Sequence, residues 1–247
     1  MTVKVGVITQ ARATSTRLPR KILLPVGGKT FLDHHLDRVA LSNLSPVVVA
    51  TTINTDDDPI VELVTGRGLP VYRGSELDVL ERFAAAAEEN DLDVVVRVTS
   101  DCPLIDGRVI AAGVERYLAE GDPRLYAANT LERTYPRGFD FEIFSADLLR
   151  EAHKNATLPA DREHVTSYLH QNRPGDIRLL NLPFEGSAHG AQYRLTLDTE
   201  DDRRLLATLI EQYDGLSLDC AELVALMDAH PELNAINQHI EQKKLGE

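Results

Sequence analysis

Along the first half of the chain, short apolar runs alternate with longer stretches whose apolar residues recur every three or four positions. Residues 3–9, Val-Lys-Val-Gly-Val-Ile-Thr, are short, β-branched and nearly all apolar. Such a run suits a central parallel strand buried on both faces. The segment 47–50, which ends in Thr51-Thr52, and the segments 70–72 and 93–98 read the same way. Between them, 30–42 carries Phe31, Leu32, Leu36, Val39 and Ala40 at helical spacing. The stretch 57–66 has Pro59 in a first helical turn, 77–89 is rich in alanine, and 105–119 is again helical. Strand and helix in alternation predict a parallel sheet with helices on both faces.

After Tyr126 the rhythm changes. A turn at 135–138 precedes an alternating strand at 139–144; helices follow at 146–152 and 161–171, and strands at 177–182 and 193–197. The remainder, 200–244, reads as mostly helical. No internal repeat, low-complexity stretch or long linker interrupts the chain. One domain over 1–247 is expected, with a mixed sheet in its second half.

Composition narrows the function classes. The 247 residues carry a formal net charge of −13, with 43% hydrophobic and 26% charged residues. An acidic chain without a basic block is poorly suited to coating nucleic acid or an anionic membrane, though a site on it can still be locally basic. The apolar N-terminal run is too short for a signal peptide or a membrane span. A cytoplasmic location is therefore expected, with Cys102 and Cys220 as reduced, partly buried thiols.

Ligands of open α/β sheets bind at the carboxyl ends of the strands. The first strand ends in Gln10-Ala11-Arg12-Ala13-Thr14-Ser15-Thr16-Arg17-Leu18-Pro19-Arg20-Lys21, which holds four cationic side chains and three hydroxyls. Guanidinium groups and backbone amides suit phosphate oxygens, and a lysine adds a mobile point charge. The loop has neither the Walker A pattern nor the glycines of a dinucleotide fingerprint. Composition alone leaves a solvated basic loop as the competing reading.

The order of residues adds specificity. Ser15-Thr16-Arg17-Leu18-Pro19, Lys21 and Leu24-Pro25-Val26-Gly27-Gly28-Lys29 resemble the signature loop of cytidylyltransferases that activate acidic sugars, such as the CMP-KDO and acylneuraminate cytidylyltransferases. The chain is more similar still to the cytidylyltransferase family named for the spore coat polysaccharide biosynthesis protein SpsF. That resemblance runs through Asp57-Asp58-Pro59-Ile60, Arg73-Gly74-Ser75, Asp78-Val79-Leu80, Asp101-Cys102-Pro103-Leu104, Tyr135-Pro136-x-Gly138-x-Asp140-x-Glu142, Arg162-Glu163-His164 and Leu197-Asp198-Thr199. It covers most of the chain in order, with one departure: Arg20 stands where the family usually has glycine.

The resemblance implies a three-layer α/β/α sandwich with a mixed, mostly parallel sheet, the GT-A-like Rossmann-type fold of sugar nucleotidyltransferases. It implies a nucleotide-binding half at 1–125, an acceptor-binding half at 126–200 that also offers a dimer surface, and C-terminal helices at 201–247. It implies CTP and Mg²⁺, with CMP passing to a sugar acid or related small acceptor. Arg12 and Lys21 would hold the triphosphate, with Lys21 at the α-phosphate. Gln10, Ala11, Ser15 and Arg17 would complete the nucleotide loop.

Asp101 follows the 93–98 strand, and Asp198 follows the 193–197 strand. Carboxylates on two strand ends can converge on one Mg²⁺, which accepts oxygen ligands and keeps substrate phosphates as others. In the resembled families, aspartates at both positions bind the metal. A helix N-cap for Asp101 and a turn former for Asp198 are the structural alternatives. With Lys21 and Arg12, Asp101 completes the expected catalytic set.

Arg73, Gly74 and Ser75 are expected near the base, where glycine permits close backbone approach and Ser75 can reach a pyrimidine edge; a plain turn is the alternative. Asp140 and Glu142, two apart on a predicted strand, share a face suited to sugar hydroxyls, an amino group or a metal shell, or else a solvated face. Arg137 suits an acceptor carboxylate or phosphate, and His164 joins the acceptor set. Two other readings remain open from sequence. One is a GT-A-type glycosyltransferase, which would usually carry an Asp-x-Asp metal motif where Ser100-Asp101-Cys102 supplies one carboxylate. The other is a non-catalytic nucleotide-binding protein.

Overall fold

A computed structural model describes residues 3–242. The end of the predicted helical stretch, Lys243 and Lys244, lies outside the described residues. In chain order, the first half contains β1 (Val5–Gln10), a short hairpin of β2 (Pro25–Val26) and β3 (Lys29–Thr30), α1 (Phe31–Ala40), β4 (Val47–Thr52), α2 (Asp58–Gly66), β5 (Val71–Gly74), α3 (Val79–Glu89), β6 (Val94–Thr99) and α4 (Gly107–Glu120). The second half contains β7 (Leu125–Ala128), β8 (Glu142–Ser145), α5 (Ala146–Asn155), α6 (Pro159–His164), α7 (Ser167–His170), β9 (Arg178–Asn181), α8 (Glu200–Gln212), α9 (Cys220–Ala229) and α10 (Pro231–Asn234).

Seven strands form one sheet in the order β5-β4-β1-β6-β8-β7-β9. β8 pairs antiparallel with both β6 and β7, and every other pairing is parallel. The sheet is buried on both faces because neighbouring residues of its strands feed different cores. Val7, Val49 and Val96 pack with Leu32, Leu36, Ile60, Val64, Ile110 and Val114 of α1, α2 and α4. Ile8, Val48 and Val95 pack with Leu80 and Phe83 of α3 and Leu148 and Leu149 of α5. This is the expected three-layer sandwich. A third cluster joins Phe139, Leu195 and Leu197 to Leu205, Leu209, Leu223 and Met227 of α8 and α9. Arg38 ties that unit to the sheet. Only 3% exposed, it donates to the carbonyls of Ile105 (2.8 Å), Leu216 (2.9 Å) and Leu218 (3.0 Å). Among the described residues, no helix is long and apolar enough to cross a membrane.

Four local expectations differ from the structure. β7, Leu-Tyr-Ala-Ala, went unpredicted because alanine carries no strand signal; its pairing with β8 on one side and β9 on the other decides its state. The predicted 161–171 helix breaks into α6 and α7 at Val165, which is fully buried with φ 61°. There the Thr166 hydroxyl turns inward to donate to Glu142 Oε1 at 2.8 Å. The predicted 139–144 strand is shortened to β8, so Asp140 and Glu142 do not share a strand face. Residues 193–197 are extended but are not a strand of the sheet. They are held by Arg137 N to Tyr193 O (3.0 Å), Leu195 N to Arg137 O (2.7 Å) and Leu197 N to Asp101 O (2.8 Å).

Candidate active site

The loop after β1 is fastened from below. Ala11 N donates to Ala50 O (3.1 Å), and Ala13 N donates to Asp57 Oδ1 (2.6 Å). Asp57 is fully buried, and its other oxygen accepts from Thr51 Oγ1 (3.1 Å), Thr52 N (3.2 Å) and Thr52 Oγ1. One carboxylate thus joins the β1 loop to the end of β4. The loop then folds back, with Arg20 N donating to Ala13 O at 2.9 Å and Arg20 in the left-handed region at φ 55°. That conformation favours glycine. The Arg20 side chain is exposed. A short 3₁₀ turn follows at Lys21–Leu23, where Ile22 sinks into the core and Lys21 turns into the cleft.

There Lys21 meets both aspartates. Its Nζ lies 2.9 Å from Asp101 Oδ2 and 2.6 Å from Asp198 Oδ1. Burial disfavours the Lys21 charge, but Asp101 and Asp198 outweigh it and hold the ammonium above its ordinary pKa. Burial likewise opposes ionisation of Asp101, and the Lys21 charge overcomes this and depresses its pKa. Neither aspartate caps a helix. The N-cap of α4 is Asp106, and that of α8 is Thr199 in a capping box with Asp202. Asp198 Oδ2 instead faces Arg17 (3.2 Å) and Arg194 (2.9 Å). Arg194, 6% exposed in its side chain, also pairs with the fully buried Asp202, and Asn237 donates to Asp202 Oδ1 at 2.9 Å.

The nucleotide-side residues divide. Arg12, with a side chain 51% exposed, approaches Glu76 at 3.8 Å and makes no side-chain hydrogen bond among the described residues. Ser15 shapes the loop by accepting from Leu18 N at 3.4 Å. Gln10 accepts from Arg97 Nη2 at 3.0 Å. Arg73 is committed to the protein, donating to Thr52 O and Asn54 O (both 2.9 Å) and pairing with Asp58 (2.8 Å). It holds the turn after β4. Ser75 is exposed, and its hydroxyl accepts from Asp78 N at 3.1 Å before α3.

A small cleft is lined by Asp101, Asp198, Arg137, Gly138 and Asp140. Asp140 receives both arms of Arg133, at 2.7 and 2.8 Å. Arg137 forms no side-chain hydrogen bond or ion pair among the described residues. Burial, with the nearby Arg133, pulls its pKa below the usual arginine range. An underpaired cation at the cleft wall suits an anionic acceptor group. Glu142 is placed elsewhere. It is 8% exposed and takes Tyr126 Oη (2.6 Å), Thr166 Oγ1 (2.8 Å) and Arg97, so it holds Arg97 beneath Gln10 rather than meeting an acceptor. His164, at the end of α6, does not line the cleft.

Sequence reasoning missed Asp57, Arg194, Arg133 and Glu76. Glu76 accepts from Thr14 Oγ1 (2.6 Å) and Asn54 Nδ2 (2.7 Å) and so joins three loops. Asp57 stands in the Asp57-Asp58-Pro59-Ile60 motif, which by itself gave it no role; Glu76, Arg133 and Arg194 lie outside every motif, so only the folded arrangement exposes them. Both cysteines are buried free thiols. Among the described residues, no cluster of three or more His, Cys, Asp or Glu could hold a metal by itself. Two carboxylates converging on one ammonium do fit Mg²⁺, which takes phosphate oxygens and waters as its other ligands.

The family model described as cytidylyltransferase matches residues 6–242. The chain is 31% identical over 232 residues to the spore coat polysaccharide biosynthesis protein SpsF of Bacillus subtilis, covering 91% of this chain and 94% of that one. It superposes on a cytidylyltransferase from Leptospira borgpetersenii with a TM-score of 0.90 and 35% identity, covering 98% of this chain and 100% of the other. A CMP:2-keto-3-deoxy-manno-octonic acid synthetase complexed with CTP shares the fold, with a TM-score of 0.60 at 18% identity over 85% of this chain and 99% of that one.

Proposed function

The chain belongs to the cytidylyltransferase family, and from that premise we propose that it transfers CMP from CTP to a small anionic acceptor, with Mg²⁺ held by Asp101 and Asp198. The acceptor class is a sugar acid or a phosphorylated or phosphonate metabolite, used in polysaccharide or glycoconjugate synthesis. The observation that carries this reading is the convergence of Lys21, Asp101 and Asp198 at the carboxyl edge of the sheet, between a cationic loop and an arginine-lined cleft.

An acceptor oxygen attacks the α-phosphorus in line, the bond to the β-phosphate bridging oxygen breaks, and pyrophosphate leaves. Arg12 and Arg17 bind the triphosphate. Lys21 moves its charge onto the oxygens of the α-phosphate as negative charge builds there. Arg137 grips the anionic group of the acceptor and directs its nucleophile at the phosphorus. Mg²⁺ held by Asp101 and Asp198 would supply positive charge that offsets the charge of the phosphates. No side-chain nucleophile is needed, because such catalysis is mainly positioning and electrostatics.

The test is pyrophosphate release with CTP, UTP or ATP against a panel of sugar acids, sugar phosphates and phosphonates. CTP with an anionic acceptor is expected to turn over; Lys21→Ala and Asp101→Asn are expected to lose turnover while remaining folded by circular dichroism. Wild-type rates in both variants would remove this mechanism.

A further inference from the structure

The two carboxylates assigned to the metal are already engaged by the chain's own cations. Asp198 Oδ1 accepts from Lys21 at 2.6 Å, while its Oδ2 faces Arg17 at 3.2 Å and Arg194 at 2.9 Å. Asp101 Oδ2 takes Lys21 at 2.9 Å, and its Oδ1 lies 3.7 Å from the Cys102 thiol. These side chains are largely shielded, with exposures of 12% for Lys21, 13% for Asp198 and 25% for Asp101. Three cations, Lys21, Arg17 and Arg194, face three carboxylates, Asp101, Asp198 and Asp202, so these six groups balance, and Arg137 on the same cleft adds a further positive charge.

From this arrangement we infer that Lys21 and a divalent cation compete for the same two carboxylates, so that metal binding depends on nucleotide binding. The inference rests on the metal reading given above. A divalent ion that used both aspartates would need Asp198 Oδ1 and an oxygen of Asp101, the pair that now brackets the Lys21 ammonium. Adding two positive charges to a poorly solvated cluster whose charges already balance is unfavourable while the lysine remains. Stripping the ammonium of both partners without a replacement anion is also costly, because a poorly solvated charge needs a partner. A triphosphate removes both obstacles. It offers the lysine new anionic oxygens within reach of the loop, and its own charge balances the entering ion. Lys21 thus has two successive partners, the aspartates first and the phosphate afterwards.

The test follows Mn²⁺, as a stand-in for Mg²⁺, by the loss of its free electron paramagnetic resonance signal on titration into the full chain. Titrations are run with and without the non-transferable analogue cytidine 5′-(α,β-methylene)triphosphate, and the Mn²⁺ bound by the analogue alone is subtracted. Wild type without nucleotide is expected to bind at least about tenfold more weakly than wild type with the analogue. Lys21→Met, which keeps the chain length and loses the charge, is expected to bind Mn²⁺ without nucleotide at least about tenfold more tightly than wild type. Lys21→Arg keeps the charge and stays weak, and adding Asp198→Asn to Lys21→Met abolishes the gain. Wild type that binds Mn²⁺ equally well with and without the analogue overturns the competition while leaving the metal site standing; that comparison needs no variant to fold. Nucleotide-free binding by wild type within twofold of Lys21→Met does the same. If no preparation takes up Mn²⁺ beyond the analogue's own share, the metal reading falls, and the inference with it.

Discussion

Gly138→Ala places a methyl group where the chain closes on itself beside the site. Gly138 has φ 105°, and a Cβ there would lie 2.3 Å from Leu195 O and 2.5 Å from Leu195 C. Two costs add. A non-glycine residue at positive φ costs about 1–2 kcal/mol, and overpacking against a fixed neighbour costs about 1–3 kcal/mol more. Gly68→Ala is the internal reference: Gly68 also has positive φ, 72°, but a Cβ there meets nothing within 4 Å. Urea denaturation should therefore show a loss of roughly 2–5 kcal/mol for Gly138→Ala and only about 1–2 kcal/mol for Gly68→Ala. The contact has a second consequence. Residues 193–197 are held to Arg137 and Asp101 through their backbone, and Asp198 comes next. Pushing Leu195 away by about 1 Å moves Asp198 relative to Lys21, and a misplacement of that size can cost about a hundredfold in rate. Turnover, measured as pyrophosphate release per folded molecule, should fall by about that factor in Gly138→Ala and stay near wild type in Gly68→Ala. Equal destabilisation by the two variants, or wild-type turnover in folded Gly138→Ala, would refute the reasoning.

Three further outcomes are expected. Arg20→Gly relieves left-handed strain of about 1–2 kcal/mol against about 0.5–1 kcal/mol of extra unfolded-state freedom, so the unfolding free energy from urea denaturation should rise by up to about 1.5 kcal/mol; a lower value would show that the Arg20 side chain contributes more than its backbone costs. Glu142→Gln leaves Arg97 without its buried anion, so stability should drop by about 3 kcal/mol with acceptor KM unchanged; a raised KM at unchanged stability would return Glu142 to the acceptor set. His35 is fully buried between Thr9 Oγ1 and Cys102 O, both at 2.9 Å, and burial pushes its pKa down to about 4 from an ordinary value of 6.5. The unfolded chain therefore takes up a proton that the folded chain refuses. The His35 contribution is fully present above pH 6.5 and is lost as pH falls toward 4, by about 2 kcal/mol at pH 4.5. His35→Gln should flatten the stability profile between pH 7 and 4.5, and parallel profiles would contradict the assignment.

The sequence by itself determined the alternation of buried strands and amphipathic helices, because period and β-branching are local properties. Valine-rich runs at 47–50 and 93–98 can only be satisfied between two helical layers, and the structure places β4 and β6 there. The order of residues in the loop after β1 also pointed to Lys21, and the end of β6 to Asp101, since strand ends carry ligands in such sheets; Asp198 instead follows an extended segment that is not a strand of the sheet. The tertiary structure alone decided which charges meet. Arg73 and Arg12 look alike in sequence, yet one is spent on Thr52, Asn54 and Asp58 while the side chain of the other is half exposed. Glu142 and Asp140 are two positions apart, yet one is sealed against Arg97 and the other faces the cleft. Lys21 and Asp198 are separated by 177 positions and meet at 2.6 Å. No local pattern encodes such a meeting, because it depends on how a glycine turn at 138 clamps an extended segment against the end of β6, and that contact exists only once the distant parts of the chain are packed.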